Sequence, residues 1–266
     1  MILILAGIMC KILGVLFRLP LTNILGVKGI GYFQMVMSLY IFTLMVCSGG
    51  ITITLSKLVA EPCENKQERI NSLYKISIIT SLILGLIVGI VFYFLGGQIA
   101  RVQGGTFGDT YKLMIILLAL GGIIACFRGI LQGFETMYPT AVSQIIEQTI
   151  RFVFGLLFAS IFVKKGVESG VFGAFLGIVV GEILSIFYLL FEIKRRKVKF
   201  QGKDFHGFYK NLLPILIGSS ILPLVNAVDS LIIVSRLSFA GFGESQAVLL
   251  YGIQSGVVGT VLNIPA

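Results

Sequence analysis

Long apolar runs constrain this chain more than any motif in it. Blocks of roughly 20 residues recur along its length, separated by short polar stretches. That is the length a helix needs to cross about 30 Å of hydrocarbon. The pattern predicts about eight spans, near 2–21, 31–55, 73–95, 113–130, 140–163, 171–191, 208–234 and 247–266. Charged residues make up 12% of the chain, against about a quarter in soluble domains, too few to cover a water-facing surface. The expected fold class is therefore all-α, a polytopic membrane bundle with the lipid bilayer as its solvent. The apolar start, without a basic segment or a small-residue cleavage site, reads as a first span and not as a removable signal.

Charge distribution suggests an orientation. The net charge of +9 comes from basic residues gathered in loops, the way membrane topology is written, so nucleic acid is not an expected partner. Lys194, Arg195, Arg196, Lys197, Lys199, Lys203 and Lys210 follow the sixth span, which predicts a cytoplasmic loop. Lys66, Arg69 and the turn at Glu135 share that side, and the even number of preceding spans places the N-terminus there too. Lys28, Arg101, Lys112, Lys164 and Lys165 belong to the opposite loops.

Chemistry-bearing motifs are scarce. Cys10, Cys47, Cys63 and Cys126 form no CxxC, and His206, in the basic loop, reads as a surface residue. The cysteines read as small buried side chains. No metal site, cofactor or enzyme activity is expected, because GxSxG, HExxH and P-loop patterns are all missing. Gly173, Gly177 and Gly181, and likewise Gly85 and Gly89, are four apart, a spacing that lets membrane helices approach closely.

Ionisable groups inside spans are more informative, since each costs about 2.5–3.5 kcal/mol at a helix centre unless it finds a partner, a cavity or an interface. Lys11 and Arg18, seven apart, share one face of the first span. Lys11 can snorkel to the headgroups or join Arg18 in a cavity wall. Gln144, Glu147, Gln148 and Arg151 form an i, i+3, i+4, i+7 stripe on the fifth span, with Glu147 and Arg151 ordered for an ion pair. That stripe reads equally as a structural pair or as a cavity wall meeting a polar substrate. Pro214 and Pro223 interrupt the seventh span, as in transporter helices that line a substrate path, although a plain packing kink reads as well. Asn226, Asp229 and Arg236 follow, the last two again seven apart. Glu182, in the sixth span, has no assignment from sequence.

Two stretches carry a family resemblance. One is Lys11-Ile-Leu-Gly14, Arg18-Leu-Pro20-Leu, Leu25-Gly26, Gly29-Ile-Gly31-Tyr32 and Ser56-Lys57-Leu-Val-Ala-Glu61. The other is Arg128-Gly129, Gln132-Gly133, Met137, Pro139-Thr-Ala141, Ser143-Gln144, Glu147-Gln148 and Arg151. Together they resemble the stage V sporulation protein B branch of the multidrug/oligosaccharidyl-lipid/polysaccharide flippase superfamily. The resemblance implies two six-helix lobes around a central cavity. Residues 1–191 would form the first lobe, 192–207 a basic cytoplasmic linker, and 208–266 the start of a second lobe, so the chain is expected to be part of a longer protein. It further implies a flippase in a bacterial cell membrane, translocating an undecaprenyl-diphosphate-linked oligosaccharide or peptidoglycan precursor by alternating access. Arg18 matches the position of a cavity cation that would meet the lipid-linked sugar diphosphate. Lys57, Arg151 and Arg236 are added as further cations, with Gln144 and Glu147 beside them, and Lys11, Asn226, Asp229, Pro214 and Pro223 as structural or coupling positions. Lys57 has a second reading at the cytoplasmic interface. The alternatives are a drug/cation antiporter of the same superfamily, a membrane enzyme of envelope synthesis, and an inactive fragment. Oligomeric state is not indicated.

Overall fold

The computed structural model describes residues 2–62, 65–202 and 207–258. The readings made for Cys63, Lys203, His206 and the span beyond 258 fall outside those residues. Nine α-helices are described, and no strand occurs among the described residues. They are α1 (Ile2–Leu44), α2 (Gly50–Ala60), α3 (Lys66–Val102), α4 (Gly108–Lys112), α5 (Met114–Gly133), α6 (Tyr138–Phe162), α7 (Val167–Arg195), α8 (Gly207–Phe239) and α9 (Glu244–Tyr251). Among the described residues, six stretches are long and apolar enough to cross a membrane, the first being Leu3–Ala60.

That first stretch holds two of the expected spans. Gly26, at φ 69° and ψ 172°, breaks α1 in a region of backbone space that glycine reaches without a side-chain clash. Across the break the Phe17 and Phe33 rings lie 6.1 Å apart, and Arg18 reaches Gln34, 16 positions later. A straight helix would separate such positions by about 24 Å, so the chain doubles back at Gly26. A five-residue π-helical turn, Met45–Gly49, then joins the second limb to α2.

Where helices touch, small residues hold the contact. A Cβ built on Gly177 of α7 would lie 2.3 Å from the Gly155 backbone, and one on Gly181 would lie 2.8 Å from the Glu147 carbonyl oxygen. The glycine row is thus what brings α7 against α6, backbone to backbone. Water does not drive such packing in a membrane, so van der Waals contact between close backbones does. The outward faces are correspondingly apolar: Ile4, Phe94, Phe187 and Leu222 are each at least 65% exposed. On a water-facing protein these would be anomalies; toward lipid they are the expected surface.

The bundle is knit at both ends. At one end the 196–202 segment lies on the start of α3. The Lys199 N–H donates to Asn71 (2.8 Å), Gln67 donates to the Lys197 carbonyl (3.3 Å), and Arg196 donates to Thr136 (3.1 Å). The basic segment, the start of α3 and the turn at 134–138 therefore share one end of the bundle. At the opposite end, buried Gln103 accepts from the Tyr111 hydroxyl (2.5 Å) and donates to the Ser230 carbonyl (3.2 Å), tying α8 to the loop after α3.

α8 differs from its expectation in one respect. It runs as one helix through Pro214 and Pro223, with no broken segment. Hydroxyls take up part of the local bonding: Ser219 and Ser220 both donate to the Leu216 carbonyl, at 3.1 and 2.8 Å. This part of α8 packs on Gly49 and Gly50, where their missing side chains leave room for Leu216 and Ser219.

Candidate functional site

The polar stripe on α6 enters a largely enclosed ion cluster. Glu147 accepts from Arg151 at 3.4 Å, the i, i+4 pair expected from sequence, and from Arg128 of α5 at 2.9 Å. The three side chains are 13–15% exposed. Arg128 also donates through Nε to Ser143 (2.9 Å), whose hydroxyl donates in turn to the Thr140 carbonyl (2.7 Å). Ser185 of α7 donates to the Ser143 carbonyl at 3.3 Å. Three helices are thereby cross-linked by polar contacts where hydrocarbon surrounds them. Two guanidiniums converge on one carboxylate, so within this contact set positive charge is in excess.

A cavity of about 240 Å³ opens beside the cluster, lined by Tyr40, Ser48, Thr52, Arg128, Glu147 and Glu182. Glu182, 2% exposed, accepts from the Tyr40 hydroxyl at 2.6 Å through Oε1. Its Oε2 is buried without a hydrogen-bond partner, as is Nε of Arg151. Thr52 donates to the Ala125 carbonyl (3.0 Å), joining α2 to α5 along the same wall.

The remaining predicted positions scatter around this centre. Arg18 is half-buried on the first limb of α1 and donates to Gln34 at 3.3 Å. Its neighbour Phe17 packs on Gly155, one turn beyond Arg151, so Arg18 lies on the helix that flanks the cluster. Gln144 is half-buried on α6 and Lys11 is exposed. Exposed Lys57 donates to Asn211 at 3.1 Å, bridging α2 to α8. Asn226, Asp229 and Arg236 are exposed along α8, and among the described residues no ion pair joins Asp229 to Arg236. Pro214 and Pro223 remain inside that helix.

Three members of the centre were missing from the sequence-based set. Arg128 is a charged residue in the fourth span and could have been found by the rule that singled out Arg151. Glu182 satisfies the same rule, but its partner Tyr40 is 142 residues away, and nothing local announces the pair. A second cavity, of about 520 Å³, opens at the far end among Phe107, Lys112, Phe162, Lys165 and Glu168. Glu168 there accepts from the Thr106 backbone N–H (3.2 Å) and from its hydroxyl. No cluster of His, Cys, Asp and Glu able to hold a metal occurs among the described residues.

Comparison with known proteins agrees with this architecture. The chain is similar to stage V sporulation protein B of Bacillus subtilis (strain 168), 27% identical over the whole chain and over 54% of that protein. It is also similar to the lipid II flippase MurJ of the same organism, 28% identical over 54% of this chain and 28% of the relative. The chain thus spans about half the length of the first relative and less of the second. In structure it is similar to a multidrug resistance MATE family transporter of the MOP superfamily in its inward-facing conformation. That likeness has a TM-score of 0.74 at 15% identity and covers 96% of this chain and 60% of that one. A MOP superfamily transporter from Pyrococcus furiosus Vc1 (DSM3638) matches with a TM-score of 0.55 at 12% identity, over 98% of this chain and 64% of that one. These structural likenesses are of fold. They agree with the all-α membrane bundle expected from the sequence. The family described as polysaccharide biosynthesis protein matches residues 1–265, and the chain, a multi-pass membrane protein, belongs to that family.

Proposed function

We propose that this chain provides the first lobe and the start of the second lobe of a flippase that moves an undecaprenyl-diphosphate-linked oligosaccharide or peptidoglycan precursor by alternating access. The product would feed polysaccharide, cell-envelope or spore-cortex synthesis. The observation that carries the reading is the convergence of Arg128 and Arg151 on Glu147 inside the bundle, with Arg18 on the flanking helix. A diphosphate crossing hydrocarbon needs fixed positive charge in a site of low dielectric, where each contact is far stronger than in water. Arginine suits this because its planar fork donates to two phosphate oxygens and stays charged. A guanidinium already on a carboxylate keeps further N–H donors for a ligand. The membership in a polysaccharide biosynthesis family and the likeness to a lipid II flippase support the same substrate class. The N-terminus and the basic 194–202 segment are placed in the cytoplasm on the excess of lysine and arginine there.

The test is transport of a fluorescent undecaprenyl-diphosphate sugar in proteoliposomes, comparing this chain with a form extended through a complete second lobe. Flipping by the extended form, lost in Arg18→Ala and partly kept in Arg18→Lys, is the expected result. A second reading, drug/cation antiport, draws on the acidic and aromatic pair Glu182 and Tyr40 in the cavity wall. Antiport of an organic cation, with no flipping by either form, would replace the first reading by the second.

A further inference from the structure

Glu182 is the group that the ion cluster leaves over. Around it, Tyr40 of α1 gives one hydrogen bond, while Arg128 of α5 and Arg151 of α6 both contact Glu147. These four residues are the titratable and charged groups facing it from the packed helices. Glu182, whose buried Oε2 has no hydrogen-bond partner, shares the wall of the 240 Å³ cavity with Arg128 and Glu147. A buried carboxyl in hydrocarbon needs either a proton or a cation in contact. The Tyr40 hydroxyl supplies a hydrogen bond but no charge, and in this arrangement no guanidinium contacts Glu182.

We infer that Glu182 is a proton-binding site of the first lobe, and that its proton and an arginine contact are alternatives. Two states follow. With the proton on Glu182, Arg128 and Arg151 stay on Glu147, and the four-residue group has one positive charge in excess. When the proton leaves through the cavity, Glu182 becomes a carboxylate and Arg151 can swing from Glu147 to Oε2, giving two pairs and no excess. The bookkeeping is simple: one O–H bond breaks, one proton goes to water, and no other covalent bond changes. Protonation thus sets whether the lobe offers a cation to an anionic headgroup. That use of the proton rests on the flippase reading above, whereas the proton site itself does not. Arg128 is held twice, by Glu147 and by Ser143, whereas Arg151 meets Glu147 at 3.4 Å with its Nε unpartnered and its backbone packed on Gly181 beside Glu182, so Arg151 is the member free to change partner.

The site is tested by infrared difference spectroscopy on the chain in nanodiscs through a pH titration, with isotope-labelled glutamate to identify side-chain carboxyl bands. A protonated carboxyl band that titrates is expected. It should vanish in Glu182→Gln, which keeps the shape and the acceptor for Tyr40, and it should titrate at lower pH in Glu147→Gln, which frees both arginines to pair with Glu182. In Tyr40→Phe it should shift in frequency, because the hydrogen bond to Oε1 is gone. A band that survives Glu182→Gln overturns the proposal, as does the absence of any titrating glutamate band in the unaltered chain. Bleaching of the band by sodium at constant pH would make the occupant a metal cation and overturn it as well. None of these readings requires transport, so a failed flipping assay and a failed proton site remain distinguishable.

Discussion

The stripe on α6 and the stripe on α8 are spelled alike and end in opposite surroundings. Each places an acid before an arginine on one helix face: Glu147 four residues before Arg151, and Asp229 seven before Arg236. On α6 the acid is largely enclosed and bound to two guanidiniums. On α8 both residues are exposed and unjoined. Spacing does not account for the difference. Four residues bring side chains together over one turn, and seven over two turns are too far for direct contact; but the decisive partner, Arg128, comes from another helix. Polar groups on a membrane helix are organised by what packs against them, and α6 is enclosed by α1, α5 and α7 while most of α8 still faces outward.

The largest effect that can break this comparison is expected at Glu147. Glu147→Ala leaves two largely enclosed guanidiniums without a counter-charge; removing one partner of a fully buried pair costs about 3–5 kcal/mol, which sets the upper bound here. Unfolding of the chain in bicelles would measure it. Adding Arg128→Met to Glu147→Ala should recover a large part of the loss; a double variant no more stable than the single one would mean that packing, not charge, holds the cluster.

Next in size comes the contact that positions the cluster. Gly177→Ala puts a methyl group where the Gly155 backbone lies 2.3 Å away, and overpacking of this kind costs about 1–3 kcal/mol. The same substitution at Gly218 of α8, where a Cβ meets nothing within 4 Å, should leave the melting temperature unchanged or slightly raised. Equal losses at both glycines would erase the distinction between an enclosed and an open helix.

These two sites also mark how far the sequence could be read. The spans, the glycine row that joins α6 to α7, and the Glu147–Arg151 pair follow from period and spacing, which are local properties. The doubling back at Gly26 was implicit in two spans separated by glycines and a lysine. What local pattern cannot supply is the company each polar residue keeps. Arg128 is 19 positions from Glu147 and Tyr40 is 142 from Glu182, so their meeting depends on how the whole bundle closes. The prolines of α8 taught the reverse: a residue type that breaks helices in water is carried through when neighbouring helices and hydroxyls support the backbone.

A smaller effect sharpens how α8 is held. Tyr111→Phe removes the 2.5 Å hydrogen bond to Gln103, the residue that grips the Ser230 carbonyl. A single buried hydrogen bond is worth about 1 kcal/mol, so the loss in global stability should be modest. Hydrogen exchange is the better readout: amides near Ser230 should exchange faster while those around Glu147 keep their protection. Faster exchange spread evenly over both regions would show that α8 and the first lobe unfold as one unit.

The smallest expected change is at Asp229. Exposed and without a partner among the described residues, it can be replaced by asparagine within about 0.5 kcal/mol, as surface substitutions generally are. That near-silence separates two accounts of the residue. If Asp229 faces a water-filled path between lobes, Asp229→Asn leaves stability alone but changes transport in the extended form, and a cysteine there reacts with water-borne reagents. If it faces lipid, the substitution should stabilise the protein, because a charge is removed from hydrocarbon, and the cysteine should answer to lipid-phase reagents alone. A stability loss comparable to that of Glu147→Ala would contradict both, and would mean that α8 is enclosed by helices as α6 is.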